Sequence, residues 1–407
     1  MISLRIYIIA LAAHGQGISG SDRIFIEFAK VWSRRNSVTI YVWEEGFKMC
    51  QRQHLEISNI SKASLLQKQN VKYQISNMGI WRKFGFVINY LARIIEGIRL
   101  GFSIRLENSP SIIVYSASEF WMDSIPALIL KLRYSKIKWV AAWFQTAPKP
   151  WVGFTEGERS NTYKLSAFLY WLAQLPIKPV ISHFADFILV NNEQERKQFP
   201  ILNKKNRVIV VLGAVDLTQI NQWKKKFKNL PKIYDAVFQG RFHPQKGVVE
   251  LIDIWKLVVN KKNDAKLALI GEGPLMEDVK QKINQLMLQK NIKLFGYVFD
   301  GPKKYKIFAQ SKLVVHPAFY DSGGMAAAEA MAFGIPAIGF NLPAYKSYYP
   351  KGMYKVPVNN LMVFADTILN LLDNKKLYLE LGDESKQMIS KNWSWDKRAN
   401  EVLARLS

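Results

Sequence analysis

Cysteine is almost missing from this 407-residue chain. Cys50 stands alone, so an internal disulfide and a thiolate zinc cluster are both excluded, and a reducing compartment fits. Histidine is scarce as well: His54, His183 and His243 have no partners at metal-ligand spacing, and no metal site is expected. Acidic residues are outnumbered, 32 against 57 Lys and Arg, which leaves a formal charge of +25. An excess of that size attracts nucleic acid, anionic lipid or phosphorylated substrates, although plain compositional bias would produce it equally. It is spread along the chain, with 28 basic and 14 acidic residues up to Val211 and 29 and 18 beyond, so neither half is a basic tail. Long apolar runs are lacking too. Nowhere do about 18 uncharged apolar residues follow one another, so no membrane-spanning helix is expected. The apolar stretch 2–13 carries one basic residue, Arg5, and leads into a glycine-rich turn, which reads as a first buried strand and not as a signal peptide.

What the chain does have is a repeated alternation of short apolar runs with longer amphipathic stretches, the pattern of parallel sheets covered by helices. Apolar runs at 5–11, 38–43, 112–115, 138–143, 186–190 and 207–212 predict one set of strands. A second set follows a basic, Pro-containing stretch, at 236–239, 267–270, 292–295, 313–315 and 335–340, with helices expected at 248–259, 275–290 and 325–333. Two doubly wound α/β domains follow, joined near 213–232. Their chemistry belongs in the loops beyond the carboxyl ends of the strands.

Three such loops stand out. After the run ending at Gln239 comes Gly240-Arg241-Phe242-His243-Pro244-Gln245-Lys246-Gly247, where Arg241 and Lys246 can point at one anionic group, the Arg as a fork and the Lys as a point charge. A diphosphate is the natural ligand; two exposed charges on an ordinary turn are the plain alternative. Next, Gly271-Glu272-Gly273-Pro274 lets a ligand approach the backbone, as many strand-to-helix turns do without binding anything. Third, in the segment from His316 to Pro336, Ser322, Gly323 and Gly324 would sit at a helix N-terminus, with Glu329 two turns from Ser322 on the same face. A carboxylate there can accept two hydrogen bonds from a vicinal diol such as ribose. In isolation it reads as an ordinary satisfied carboxylate. Near the N-terminus, Gly15, Gly17 and Gly20 match Gly-x-Gly-x-x-Gly, with Glu44 and Glu45 after the second strand, a pattern that suits either a dinucleotide fingerprint or a flexible turn.

Taken in order, these segments resemble the family 4 (group 1) glycosyltransferases. The resemblance covers nearly the whole chain: the glycine-rich first loop with Asp22, Gly213-Ala214-Val215-Asp216, Gly240-Arg241 with Lys246-Gly247, Gly271-Glu272-Gly273-Pro274, Phe295-Gly296-Tyr297-Val298, and the segment from Glu329 to Pro336. It implies the α/β GT-B fold, two Rossmann-like doubly wound parallel-sheet domains facing a cleft. The implied boundaries are an acceptor domain at 1–212, a donor domain at 213–391 and a last helix, 392–407, returning to the first. The implied activity is transfer of a hexose-type sugar from a UDP- or GDP-sugar to a glycan or lipid-linked acceptor, with retention and without an obligatory metal or other cofactor, in cell-surface polysaccharide synthesis.

By resemblance, Arg241, Lys246 and Asp321 are the catalytic candidates, and Gly17, Gly271, Gly273, Tyr297, Gly323, Gly324, Met325 and Glu329 bind the donor. His14, Asp22 and Gln145 are acceptor-side candidates, Gln145 standing where the family often has His. The family's paired glutamates appear as Asp321 and Glu329, one methylene shorter at the sugar-facing position.

The stretch 81–105 carries five Arg and Lys against Glu96 amid apolar residues, a basic amphipathic pattern that can lie on anionic lipid and that sheet-covering helices also show. A cytoplasmic protein, peripheral on the inner leaflet, is the expectation, with no nucleic acid as partner. A degenerate transferase, a basic polyanion binder and a GT-B sugar-nucleotide epimerase remain as alternatives.

Overall fold

The computed structural model describes residues 4–13, 18–55, 70–77, 79–323 and 325–406. The chain divides into two compact units. The first comprises Met1–Ala147, Leu169–Val211 and Trp395–Ser407, the second Pro148–Phe168 and Leu212–Ser394.

In the first unit seven strands form one sheet: β1 (Arg5–Ile9), β2 (Ser37–Trp43), β3 (Val71–Ser76), β4 (Ile112–Ser116), β5 (Lys138–Trp143), β6 (Phe187–Val190) and β7 (Val208–Val210). Their order is β3-β2-β1-β4-β5-β6-β7, and every pairing is parallel. In the second unit β8 (Tyr234–Gln239), β9 (Leu267–Ile270), β10 (Ile292–Leu294), β11 (Ser311–His316), β12 (Ala337–Phe340) and β13 (Met353–Val356) form a parallel sheet in the order β10-β9-β8-β11-β12-β13. Both sheets therefore reverse direction at one point, between β1 and β4 in the first and between β8 and β11 in the second. Those switch points are where open parallel sheets bind ligands.

Why these runs make such sheets is visible in the cores. Along β8, Ala236 and Phe238 enter one apolar cluster while Val237 enters the other; along β9, Leu267 and Leu269 alternate with Ala268 and Ile270 in the same way. A strand buried on both faces needs apolar residues at every position, so its sequence reads as a continuous hydrophobic run. Two strands escaped the sequence reading, β3 (VKYQIS) and β13 (MYKV). Both are edge strands with one neighbour, where Lys, Gln and Tyr side chains meet solvent and dilute the apolar signal.

The helix expected over 275–290 spans Met276–Gln285 and stops where Met287 takes a left-handed conformation (φ 56°). That expected over 325–333 ends at Met331. The basic stretch 81–105 becomes a 3-10 turn, Gly79–Phe84, and a helix, Gly85–Ser103. No described helix is long and apolar enough to cross a membrane.

Candidate active site

The second sheet's switch point gathers most of the residues singled out in the donor half. Loop 240–247 leaves β8, makes a short 3-10 turn at Pro244–Lys246 and passes through Gly247, whose left-handed backbone (φ 63°) opens the helix Val248–Lys261. Only glycine fits there, because a Cβ would lie 2.0 Å from the Pro317 carbonyl oxygen. The loop after β9 lies against it just as closely: a Cβ on Gly271 would stand 1.8 Å from the Gly240 carbonyl oxygen, and one on Gly273 2.4 Å from that of Phe242. Gly271 N–H donates to the Gly296 carbonyl (2.9 Å), which brings Tyr297 to the same end of the sheet. Lys246 and Asp321, on the loops after β8 and β11, meet at 2.6 Å.

Asp321 is buried and saturated. Its Oδ2 accepts from Lys246 Nζ and Tyr345 Oη (3.0 Å) and lies 3.2 Å from His316 Nε2, while Oδ1 accepts the Gly323 N–H (3.1 Å). Burial pushes this carboxyl up, but the Lys246 ammonium and His316 outweigh it and hold the group well below the usual carboxylate range. Asp321 is thus a fixed anion that orients Lys246. Arg241 is the contrast: its guanidinium has no hydrogen-bond or ion-pair partner among the described residues, and although the residue as a whole is exposed, burial of the guanidinium pushes its pKa down. His243 between them is pushed down to about 3 by burial and by Arg241, Lys246 and Arg159, so it is neutral, and its ring packs edge-on against Phe154 at 5.2 Å. A loop pair with one uncommitted cation and a second held by a single carboxylate can bind an oxyanion.

Glu329, in the helix Met325–Met331, accepts from Gln239 Nε2 (3.0 Å) and Lys304 Nζ (2.6 Å). Lys304, which sequence reasoning missed, is 1% exposed at its side chain and also pairs with Asp300. The signal available was the i,i+4 spacing of Asp300 and Lys304 across a helix start. A Cβ on Gly323 would sit 2.5 Å from the Tyr348 hydroxyl, which also accepts the Gly213 N–H at 3.2 Å, and the Met325 side chain lies against Gly213, where a Cβ would stand 2.2 Å from its Cγ. Gly324, Gly17 and His14 lie outside the described residues.

The other two acceptor-side candidates belong to the first unit. Asp22 caps the helix Gly20–Trp32 in a reciprocal pair with Ser19: its N–H donates to Ser19 Oγ, and its Oδ2 accepts the Ser19 N–H at 2.9 Å. Gln145 follows β5; its carbonyl accepts from Tyr170 Oη and Gln174 Nε2, and its own Nε2 has no partner among the described residues. Near that sheet's switch point stand two further buried carboxyls, Glu119 and Asp123, both pushed up to about 7 by burial. Among the described residues no group of His, Cys, Asp and Glu could hold a metal ion.

Two parallel, doubly wound Rossmann-like units of this kind define the GT-B fold, as the sequence leads one to expect. Residues 219–388 match the family model described as Glycosyl transferases group 1. The chain is 31% identical over 209 residues, 47% of its length, to the poly(ribitol-phosphate) alpha-N-acetylglucosaminyltransferase of Staphylococcus aureus (strain COL), and the match spans 42% of that protein, less than half of it. In structure it is similar to Anabaena HepE in complex with UDP and glucose (TM-score 0.69, 13% identity, 99% of each chain). It is equally similar to a mutant of S. aureus TarM in complex with fondaparinux, alpha-GlcNAc-glycerol and UDP (TM-score 0.70, 14% identity, 99% of this chain and 100% of that one).

Proposed function

We propose that the protein is a retaining, metal-independent glycosyltransferase of family 4. It takes a hexose-type sugar from a UDP- or GDP-sugar and passes it to a hydroxyl of a glycan or lipid-linked acceptor in cell-surface polymer synthesis. The observation that carries this reading is the cation pair of loop 240–247, with Arg241 unpartnered and Lys246 held only by Asp321 among the described residues, at the switch point of the second sheet. As the bond to the diphosphate breaks, negative charge builds on the leaving group, and two preset cations stabilise it more than they stabilise the bound donor. Glu329 would hold the ribose, and the glycine amides near 323 the phosphates. The named relative and both structural neighbours support donor and acceptor class, since they act on a polyol-phosphate polymer or were crystallised with UDP.

A membrane-surface location draws on the helix Gly85–Ser103. Phe84, Ile88, Leu91, Ile95, Ile98 and Phe102 recur at spacings of four and three and are all exposed, Ile95 at 66%. Lys83, Arg99 and Arg105 are exposed along the same region, and the helix's one carboxylate, Glu96, is buried against Arg99. An apolar stripe with cations beside it is complementary to an anionic leaflet, where the acceptor would lie.

Binding of UDP, GDP and ADP, with their common sugar conjugates, to the wild type and to Glu329→Ala tests the donor site. One nucleotide that stabilises the wild type and not the variant is the expected result, and transfer is lost in Arg241→Ala. Binding of none sinks the reading. Cosedimentation with vesicles containing anionic lipid at low salt, weakened by Leu91→Glu with Ile95→Glu, tests the membrane location.

A further inference from the structure

We propose that Arg159 is a positioning residue for the diphosphate site, setting the loop that carries Arg241 and Lys246 from within a strap that is remote in sequence; this rests on the donor reading above. The strap is the segment Pro148–Phe168, which packs with the second unit although the chain on either side of it belongs to the first.

Arg159 has no exposed side-chain surface. Its Nε donates to Glu250 Oε1 (2.6 Å), in the first turn of the helix that follows Gly247. One terminal nitrogen, Nη1, donates to two carbonyls, Pro244 (2.6 Å) and Phe154 (3.1 Å). The guanidinium plane covers the Phe319 ring at 4.3 Å. One side chain thus grips residue 244 on one side of Lys246 and residue 250 on the other, and leans on the loop that carries Asp321.

The strap's backbone adds to the grip. Glu156 N–H donates to the Phe319 carbonyl (2.9 Å), and Phe319 N–H to that of Gln245 (2.9 Å), so strap, β11 loop and β8 loop form a hydrogen-bonded chain. Phe154 closes it by packing on His243 and Tyr320. Lysine cannot replace Arg159, because a single ammonium cannot reach a carboxylate and two carbonyls in separate directions while lying flat on an aromatic ring.

The purchase this gives is on Lys246. Its ammonium must stand at one distance from Asp321 and accept a diphosphate in place of, or alongside, that carboxylate, and displacement of a positioned group by about 1 Å can cost on the order of 100-fold. Removing Arg159 alone strands Glu250, which destabilises the fold, so the informative variant removes both charges, Arg159→Met with Glu250→Leu.

The test is a double-mutant cycle on UDP and GDP affinity, measured by calorimetry, with the melting temperature of each unliganded variant recorded. Affinity is expected to fall about tenfold or more in Arg159→Met/Glu250→Leu and in Arg159→Lys, while the double variant melts close to the wild type. In the Lys246→Ala background the same changes are expected to cost no more than about twofold, because their effect passes through Lys246. Full additivity in that background, or wild-type affinity in the double variant, overturns the positioning role while leaving the donor site standing. A wild type that binds neither nucleotide overturns both.

Discussion

The two sheets turn at equivalent points and gather chemically different groups there. In the second unit the loops after β8 and β11 bring two cations, Arg241 and Lys246, to one permanently ionised carboxylate. In the first, two carboxyls that follow β4 meet N–H groups of the segment after β1 and neighbouring hydroxyls. Asp123 Oδ1 accepts the Leu11 and Ala12 N–H groups at 2.6 and 3.1 Å, Oδ2 accepts from Ser118, and Glu119 accepts from Tyr170 Oη at 2.9 Å. Both carboxyls are pushed up to about 7 by burial. A common strand order thus fixes where a ligand can sit and leaves its charge to the loops. One switch point suits an anion. The other holds carboxyls that keep their protons up to about pH 7 and can hydrogen-bond to hydroxyl groups.

The contrast is broken most severely at Lys246. Lys246→Ala is expected to weaken nucleotide binding strongly while leaving it measurable and, by leaving Asp321 buried without its cation, to cost about 3 kcal/mol of stability. Arg241→Ala, with no partner to strand, is expected to abolish binding with almost no loss. Chemical denaturation of the two variants side by side separates these outcomes; equal stability losses would mean that Asp321 does not depend on Lys246. Adding Asp321→Asn to Lys246→Ala is expected to restore part of the loss.

The second effect is one of sign. A carboxyl raised to about 7 holds its proton more tightly folded than unfolded, so its contribution is full below its ordinary pKa, about 4, and is lost as pH rises to about 7. A carboxyl held below the ordinary range contributes above that pKa and loses its contribution as pH falls beneath it. Asp123→Asn is therefore expected to flatten the decline of melting temperature between about pH 4 and 7, and Asp321→Asn the decline on acidification below about pH 4. Parallel pH profiles for both variants would remove the electrostatic distinction between the two units.

How much of this was legible depends on burial and partnership. Strands buried on both faces declared themselves as apolar runs, and the loops after β8, β9 and β11 were found because glycine and charge cluster where backbones must approach closely, as at Gly247 and Gly271. The edge strands β3 and β13 were not, since solvent accepts polar residues there. Sequence paired Arg241 with Lys246 through their five-residue spacing, yet Asp321 lies 75 residues from Lys246 and Arg159 lies 85 from Pro244. No local pattern encodes contacts of that separation. Lys304 offered a local signal in its i,i+4 spacing from Asp300, but its pairing with Glu329, from another helix, is equally non-local.

A smaller effect concerns Asp22, whose position in the glycine-rich first loop suggested an acceptor-side role. Its carboxylate closes a capping box with Ser19, so Asp22→Ala is expected to cost about 1 kcal/mol through the helix Gly20–Trp32 alone. Asp22→Asn retains an oxygen to accept the Ser19 N–H and should lose less. If both variants abolish transfer while the folded protein still binds nucleotide, the carboxylate serves the acceptor as well as the helix.

The smallest expected change in stability falls at Gln145, and it is the most telling for the first unit. Its carbonyl is already engaged by Tyr170 and Gln174, contacts that any side chain at 145 preserves, whereas its Nε2 is buried without a partner among the described residues. An unsatisfied buried donor is a cost to the fold, so Gln145→Ala is expected to shift stability by less than about 0.5 kcal/mol in either direction. A buried donor on the loop after β5 with no partner among the described residues is one that a ligand can complete. Transfer in Gln145→Ala is therefore expected to fall through a raised KM for acceptor, with the KM for donor unchanged; a change confined to the donor would place Gln145 on the wrong side of the comparison.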